Sequence, residues 1–306
     1  MKDLIPSLGA EVREEDAIVV ATLVSATGSS KKVGTRMYVG ASGRLIGGVT
    51  IGGCVDAQVV EAADALIDEG GRKLLAISLD DDEAWEIGLT CGGTVEVLIE
   101  RVDPSDPSDP VVSAHVEAAT QLAAGEVAEL ATPLGDGRTF VDRLSPATTL
   151  LIVGAGEIAT SLTRMARDLD MHTVVIDGRD RYATRERFPD ANEIRIGMPS
   201  EIVESYKKTP QIAVVLVAHD YKYELPVLRA LIRSSIGYLG MLGSKKRSAA
   251  VRELLKEEGF TDDELARVRT PIGLDIGGKA PAEVALSILA EVVAVRSGKL
   301  PTLKRV

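Results

Sequence analysis

The sequence predicts an α/β protein in which a smaller N-terminal α+β domain precedes a C-terminal domain with a doubly wound parallel sheet. Past residue 148, apolar strand patterns alternate with helical patterns, which is typical of parallel strands connected by helices. The segment 103–110 reads DPSDPSDP, and because each proline fixes φ and removes an N–H donor, we expect a linker there. The predicted divisions are an N-terminal domain at 1–102, a linker and connecting helix at 103–147, and the parallel-sheet domain at 148–306.

The N-terminal part shows strand and turn signals before its first helix. AIVVATLVSA predicts a strand, and TRMYVGASGRLIGGVTI predicts a hairpin that turns at residues 41–43. CVDAQVVEAADALIDEG predicts a helix, because apolar residues from Val55 to Leu66 recur on one face and Gly70 is placed to end it. KLLAISL and TVEVLIERV predict two further strands, so we expect a mixed sheet in an α+β domain.

The C-terminal part contains the alternating units in clear order. The predicted strands are TLLIVG, HTVVIDG, QIAVVLVAHD and GYLGML. The predicted helices are EIATSLTRMARDL, ELPVLRALIRSS, KKRSAAVRELLKEEG and the closing PAEVALSILAEVVAVRSG. We therefore expect helices on both faces of a parallel sheet.

Composition excludes several classes of partner. The chain has 306 residues, of which 45% are hydrophobic, a content sufficient for two ordinary cores. A formal net charge of −11 repels nucleic-acid phosphates, and an aromatic content of 3% leaves few stacking platforms for bases. No apolar run reaches the length of a membrane span, and neither the two cysteines nor the N-terminus indicates export, so we expect a cytoplasmic protein.

A glycine-rich turn follows the first strand of the C-terminal part. Gly154-Ala155-Gly156 opens a G-x-G-x-x-A version of the dinucleotide fingerprint, in which glycines allow the tight turn and the approach of a phosphate. Asp177 ends the next predicted strand, where an acid that binds ribose is expected, and Arg179 follows it. The pattern predicts a Rossmann-type fold with NAD(P) or another phosphate-bearing ligand at the helix N-terminus. Retention of the turn for packing alone is the alternative.

Both cysteines lie beside glycine pairs. Cys54 follows Gly53 where a turn becomes a helix, so the positive end of the helix would stabilise its thiolate. Cys91 precedes Gly92 in a turn that leads into a strand, where the sulfur would be approachable. Paired thiolates would suit a soft or sulfur-rich centre, whereas a small buried hydrophobe is the alternative for each cysteine. No spacing typical of a zinc site is present.

Polar residues at the end of the third C-terminal strand form another candidate. His219 and Asp220 follow AVVLVA at the carboxyl edge of the predicted sheet, where they would transfer a proton or orient a ligand, or His219 would merely cap the strand. The basic clusters SSKKVGTR and GSKKR, at 29–36 and 243–247, would each hold an anion or lie on a solvated surface. His115, on a predicted polar helix, and His172, at a strand start, do not indicate a site.

Several ordered motifs together are similar to one protein family. The N-terminal motifs are GSSKKVGTRM, GRLIGGVTIGGCVDAQVVEAA and GLTCGGTVEVLIE, and the C-terminal ones are LLIVGAGEIA, VVIDGRDRYA, YLGMLGSKKR and TPIGLDIGGKAPAEVALSILAEVVA. Over nearly its whole length the chain resembles the xanthine dehydrogenase accessory protein (XdhC/CoxI) family. Cys54 and Cys91 coincide with the cysteines that characterise that family.

The resemblance implies a maturation factor for a molybdenum hydroxylase of the xanthine dehydrogenase or carbon monoxide dehydrogenase type. Such a protein binds and protects the molybdenum cofactor (molybdopterin) while a cysteine desulfurase supplies its sulfur, and assists insertion into the apo-enzyme. Cys54 and Cys91 would then contact the cofactor. We also expect a homodimer.

Two other hypotheses remain open. A nicotinamide-linked oxidoreductase would place Asp177 on the ribose and use His219 as a proton donor. A docking module would bind the desulfurase or the apo-enzyme without a small ligand. Tight NAD binding with reduction of the NAD by a small substrate would favour the oxidoreductase. Copurification of partner proteins without a bound cofactor would favour the docking module.

Overall fold

The first sheet is built from strands whose apolar residues are mostly buried. The computed structural model describes residues 4–8, 12, 17–27, 32–48, 51, 53–79 and 93–299. By its internal contacts the chain forms two compact units, 1–146 and 147–306. The elements of the first unit are β1 (Ile18–Thr27), β2 (Arg36–Val39), β3 (Leu45–Gly48), α1 (Gly53–Glu69), β4 (Arg72–Leu79), β5 (Gly93–Val102), α2 (Pro110–Ala123), β6 (Ala128–Pro133) and β7 (Thr139–Leu144).

The five-stranded sheet has the order β3-β2-β1-β5-β4. Every pairing among its described strands is antiparallel, so the expected mixed sheet is wrong. The physical reason is connectivity, because the hairpin β2–β3 and the pairing of β5 between β1 and β4 each reverse the chain without a parallel crossover. The predicted hairpin turn at 41–43 is confirmed as a short 3-10 helix.

Helix α1 covers one face of this sheet. Val55, Val59, Ala63 and Leu66 are buried against the inward side chains of β1, β2 and β5, as the sequence periodicity predicts. Gly70 adopts φ of 78° directly after the helix, which is the left-handed conformation that glycine tolerates at a helix end.

The segment after β5 belongs to the first unit. Asp109 caps α2, since its carboxylate accepts from the N–H groups of Val111 and Val112. A two-stranded antiparallel sheet of β6 and β7 follows, and it turns within the glycine-rich stretch at 134–138. The sequence analysis did not predict these two strands.

His115 on α2 is a core residue rather than part of a polar helix face. Its Nδ1 accepts from the backbone N–H of Ile5 at 3.2 Å, and the residue is 4% exposed. Burial and, secondarily, the charge of Arg36 lower the pKa of His115 to about 3. The imidazole is therefore neutral in the folded chain at neutral pH.

Arg36 lies at the start of β2 and is buried as well. Its Nη1 donates to Oδ2 of Asp142 on β7 at 2.8 Å, and both side chains are almost completely covered. The expectation that Arg36 helps to hold an anion is therefore wrong, because its guanidinium already has a buried carboxylate partner. Lys32 is exposed, and Lys31 lies outside the described residues.

The second unit is built on the six-stranded parallel sheet that the sequence predicts. Its order is β10-β9-β8-β11-β12-β13, which is the doubly wound Rossmann order. The elements are β8 (Thr149–Val153), α3 (Glu157–Asp168), β9 (His172–Asp177), β10 (Glu193–Ile196), α4 (Pro199–Ser205), β11 (Ile212–Leu216), α5 (Tyr221–Leu231), β12 (Tyr238–Met241), α6 (Lys245–Glu257), α7 (Asp262–Ala266), β13 (Val268–Arg269) and α8 (Pro281–Arg296).

Both faces of the parallel sheet are covered. Along β8, Leu150 and Ile152 pack into the core that includes α3 and α8, whereas Leu151 and Val153 pack into the core that includes α5 and α6. Successive strand residues point to opposite faces, so a continuous apolar run serves two cores. Within the described parts of the chain, no helix combines the length and apolar character needed to cross a membrane.

Candidate functional site

The site lies where the strand order of the parallel sheet reverses. Strands β8 and β11 are neighbours, but their helices α3 and α5 pack into opposite cores. In doubly wound sheets, ligands bind beyond the carboxyl ends of strands with this arrangement. Gly154 follows β8 with φ of 112°, and a Cβ at this position would lie 2.6 Å from the backbone of Ala218 after β11. A side chain cannot be accommodated there, so Gly154 is required for the close approach of the two strand ends.

Gly156 has a different role from Gly154. It is the N-cap residue of α3, and within the described parts of the chain no side chain caps the N–H groups there. A Cβ on Gly156 would meet nothing within 4 Å, so the space beside this residue at the start of the helix is open. Uncapped N–H groups at the positive end of a helix favour an anion, although Glu157 adds a carboxylate in the first turn.

Asp177 is buried at the end of β9. Its Oδ2 accepts from the N–H of Ala155 at 2.8 Å, and its two oxygens accept from the guanidinium of Arg179 at 2.8 and 2.9 Å. Burial opposes ionisation, but these hydrogen bonds outweigh it and keep the pKa of Asp177 below its usual value. The carboxylate therefore ties β9 to the glycine loop, and a ribose hydroxyl would have to displace Arg179 to reach it.

Two arginines and a tyrosine lie beside the glycine loop. Arg187 Nη1 donates to the carbonyl oxygen of Ala155 at 3.0 Å and to that of Tyr182 at 2.7 Å. The guanidinium of Arg179 lies 4.2 Å from the ring centroid of Tyr182, which is 48% exposed. The loop is thus bordered by two cationic groups and an accessible aromatic ring.

His219 follows β11 in an unusual backbone conformation. Its φ is 56°, in the left-handed region that only a few non-glycine residues adopt. The N–H of His219 donates to Oε1 of Glu224 at 3.1 Å, and its Nδ1 lies 3.3 Å from Nη1 of Arg247. Partial desolvation and then the charge of Arg247 lower the pKa of His219. A neutral imidazole that accepts at Nδ1 carries its proton on Nε2.

Glu224 connects His219 and Arg247 through hydrogen bonds to both. It is completely buried on α5, and its Oε2 accepts from Nη2 of Arg247. Burial raises the pKa of Glu224 to about 7, although the charge of Arg247 and the N–H of His219 oppose the shift. The glutamate thereby fixes both the backbone of His219 and the guanidinium of Arg247.

Asp220 is the N-cap residue of α5, and its carboxylate accepts from the N–H of Lys222 at 2.9 Å. This cap stabilises the start of the helix and places His219 directly ahead of it. The residue is exposed, and its role toward a ligand remains a prediction.

A separate cavity of about 390 Å³ lies at the end of β12 and β13. The loop that forms it contains all of TPIGLDIGG, which begins one of the motifs that carry the family resemblance. Its lining combines apolar side chains with Lys245 and Asp275 of opposite charge. The cavity therefore has no clear preference for a charged ligand.

The cysteine predictions are only partly covered by the structure. Gly53 and Cys54 begin α1, which confirms the predicted position of Cys54 at a helix start, but its side chain lies outside the described atoms. Cys91 and Gly92 lie outside the described residues. The convergence of the two sulfurs stays a prediction. Among the described residues, no group of three or more His, Cys, Asp or Glu side chains could hold a metal ion.

Glu224 and Arg187 were not predicted from the sequence as site residues. A signal for Glu224 was present, because it shares one helix face with Val227, Leu228 and Leu231, and a carboxylate on a buried face needs a partner. Arg187 lies in an irregular segment without periodicity, so its contact with the glycine loop followed only from the fold.

Comparison with known proteins identifies relatives across most of the chain. Residues 150–292 match the family model of the XdhC Rossmann domain, and residues 12–78 match that of the XdhC and CoxI family. The chain is 27% identical to a protein of Bacillus subtilis (strain 168) described as a probable xanthine dehydrogenase subunit, with 94% of this chain and 96% of that protein aligned. It is also 27% identical to the "Molybdenum cofactor insertion chaperone PaoD" of Escherichia coli (strain K12), with 92% and 83% aligned.

A solved structure shares the fold over the same extent. The crystal structure described as a xanthine dehydrogenase from Bacillus halodurans superposes with a TM-score of 0.80 at 25% sequence identity. The match covers 98% of this chain and 97% of the other.

Proposed function

Because the chain belongs to the XdhC and CoxI family, we propose that it binds the molybdenum cofactor as cargo and takes part in the maturation of a molybdenum hydroxylase. The relative named as a molybdenum cofactor insertion chaperone supports this assignment over most of its length. The receiving partner is an apo-hydroxylase of the xanthine dehydrogenase or carbon monoxide dehydrogenase type, and a cysteine desulfurase supplies the terminal sulfur.

The observation that carries the proposal is the open glycine loop at the reversal of the sheet. The cofactor is a pterin that bears a phosphate, and a phosphate requires N–H donors that a backbone can present at close range. Gly156 leaves space at the start of α3, and Arg187 provides positive charge beside the loop, whereas the charge of Arg179 is paired with Asp177. The donor set therefore fits a phosphate, with Glu157 as the one opposing group in the first turn.

In the first unit, the proposal assigns contact with the cargo to Cys54 and Cys91. Cys54 lies in the first turn of α1, where the positive end of the helix favours a thiolate. Thiolates are ligands that suit a soft metal centre. The chemistry supplied by the cofactor itself is that of the molybdenum centre, which the hydroxylase uses after insertion.

The test is analysis of what the full chain carries. The chain is produced in cells supplied with molybdate, purified, and examined for molybdenum by elemental analysis and for the pterin by mass spectrometry. We expect both in comparable amounts, with retention reduced in Cys54→Ala and in Gly156→Val. A valine would occupy space that the phosphate needs, and its Cβ would meet no neighbour within 4 Å.

Two further variants control this test. Ser113→Val changes an exposed position of α2 and should retain the cargo like the wild type. Gly154→Ala should instead lower stability, because its Cβ would collide with Ala218. Absence of both molybdenum and pterin from the wild type, together with failure to bind added cofactor, would refute the proposal. Sedimentation of the same preparations tests the proposed homodimer.

An NAD(P)-linked oxidoreductase is the second candidate, and the Rossmann strand order together with the glycine loop favours it. The contact of Asp177 with Arg179 weakens it, because the carboxylate that would bind the ribose already has a partner. Titration with NAD and NADP distinguishes the two candidates. Tight binding followed by reduction with a small substrate would support the oxidoreductase.

A further inference from the structure

An open cavity of about 420 Å³ lies beside His219, which follows strand β11. It is lined by His219, Tyr221, Ser244, Lys246, Arg247 and Ala250. Among the described residues that line it, none is a carboxylate. Two are permanent cations in a chain whose formal net charge is −11. The cavity thus presents two basic side chains in a chain that is acidic as a whole, and one of them, Arg247, is paired with the buried Glu224.

The position of Arg247 is fixed by three contacts. Its guanidinium donates to the buried Glu224, faces Nδ1 of His219 at 3.3 Å, and lies 4.5 Å from the ring centroid of Tyr221. A guanidinium held in this way keeps little rotational freedom, so less entropy is lost when it binds a ligand.

His219 adds a donor to the same cavity. Because its Nδ1 faces an N–H of Arg247, the neutral ring carries its hydrogen on Nε2, which is then a donor. The left-handed backbone of His219 holds the ring at the strand end, and Glu224 fixes that backbone through the N–H.

The basic residues of this cavity are not explained by helix stability. Lys246 and Arg247 lie in the first turn of α6, where the helix dipole favours acidic side chains and none is present. Ser244 already caps the helix by accepting from the N–H of Arg247. The presence of Lys246 and Arg247 beside the cavity is consistent with an anionic ligand.

We propose that His219, Lys246 and Arg247 bind a tetrahedral oxyanion, either the phosphate group of a larger ligand or a free oxyanion of the same geometry. This inference deepens the proposed function, on which it rests only for the identity of the natural ligand. The site is separate from the glycine loop, although both lie at the carboxyl ends of the neighbouring strands β8 and β11.

The experiment measures oxyanion binding by calorimetry in the full chain. Inorganic phosphate and molybdate are the free oxyanions, and adenosine monophosphate presents a phosphate on a larger ligand. The Gly156→Val background removes any contribution from the glycine loop. We expect Lys246→Ala and His219→Asn each to weaken binding by about tenfold, the value of one charge-assisted hydrogen bond. Tighter binding of adenosine monophosphate would indicate that the site binds the phosphate group of a larger ligand. Tighter binding of molybdate or inorganic phosphate would indicate that it binds a free oxyanion.

The variants are chosen to preserve the fold. Asparagine tolerates the left-handed conformation of position 219 and keeps an acceptor near the place of Nδ1, so His219→Asn removes mainly the Nε2 donor. Lys256→Ala removes the same charge as Lys246→Ala but from the last turn of α6, and it should leave binding unchanged.

Absence of binding in the Gly156→Val chain, or equal affinity in Lys246→Ala, His219→Asn and their background, would overturn this inference. Cofactor retention is measured separately on the wild type. Loss of retention with intact oxyanion binding would refute only the proposed function. If the wild type retains the cofactor but Lys246→Ala and His219→Asn bind oxyanions as well as their background does, only the oxyanion site is refuted.

Discussion

Arg36 and Arg247 come from two similar basic clusters, yet the fold uses them differently. Arg36 is sealed against Asp142, and its side chain is 2% exposed. Arg247 is paired with a buried Glu224, but its own side chain is 15% exposed and lines a cavity. When both partners of an ion pair are buried, the pair can only stabilise the packing of the strands that carry it. When the carboxylate is buried but the guanidinium keeps some solvent access, the guanidinium is held in place and can still contact a ligand.

The difference between Arg36 and Arg247 shows that a basic cluster in the sequence does not specify whether its arginine is buried or faces solvent. In both units a carboxylate distant in the sequence meets the arginine, so pairing does not separate the two cases. The remaining solvent access of the guanidinium separates them. Substitutions in both units test whether this distinction between a structural and a ligand-facing arginine holds.

The largest effect is expected for Arg36→Ala. The substitution leaves the carboxylate of Asp142 buried without its partner, which should lower the free energy of unfolding by about 3–5 kcal/mol. Urea denaturation followed by circular dichroism measures it. Arg164→Ala, which removes an exposed arginine from α3, is the control and should change little. A result for Arg36→Ala equal to this control would contradict the structural role.

The double variant Arg36→Met with Asp142→Leu sharpens that prediction. Because apolar side chains can replace a buried pair without leaving an unpaired charge, it should recover most of the lost stability. Phosphate binding at the site of Arg247 should remain unchanged in it.

His115 should make the first unit sensitive to acid. Its folded pKa of about 3 is below the ordinary value of 6.5, so the unfolded chain binds the proton more strongly. The contribution of neutral His115 to the free energy of unfolding is complete above pH 6.5 and decreases as the pH falls toward 3. Between pH 6.5 and about 4 the loss should be about 3 kcal/mol.

His115→Asn tests this dependence while it keeps an acceptor for the N–H of Ile5. Denaturation of both chains across this range should show a smaller decrease for the variant. Parallel curves would indicate that His115 does not titrate in this way.

Glu224 should give the opposite dependence in the second unit. Its folded pKa of about 7 is above the ordinary value of 4.5, so its contribution is complete below pH 4.5 and is lost as the pH rises through 7. Between about pH 5 and 7 the decrease should be about 2 kcal/mol.

Glu224→Gln removes this titration, and the difference in stability between variant and wild type measured at several pH values isolates it. A constant difference across this range would rule out the raised pKa. Arg247 and the N–H of His219 face the carboxylate directly, and Asp220 is the nearby acidic group.

The smallest effect is expected for Arg233→Ala. Arg233 pairs with Glu264 on the surface and lies over the ring of Phe260, but its side chain is 60% exposed. Exposed ion pairs are weakened by solvent, so no resolvable change of the urea midpoint is expected at physiological salt. A loss comparable to that of Arg36→Ala would show that solvent access does not distinguish the arginines of this chain.

The two sheets differ in how well the sequence predicted them. The parallel sheet was predicted with its helices on both faces, because alternation of strands and helices leaves few other arrangements. The first sheet was expected to be mixed and is antiparallel, since strand patterns alone do not state which neighbour a strand selects. The hairpin of β6 and β7 was missed for a different reason, because its two strands span only six residues each and their short patterns were not identified as strands.

The sequence by itself determined the positions of the local features of this protein. The turn at Gly154 and Gly156 and the helix start at Cys54 depend on residues close in the chain, so their patterns are visible directly. Only the tertiary structure decided which charges are satisfied. Arg36 meets a carboxylate 106 residues away, and Arg247 meets one 23 residues away. Because Coulomb and desolvation energies depend on distance and burial in space, the same residue type became a structural partner in one unit and a cation beside a cavity in the other.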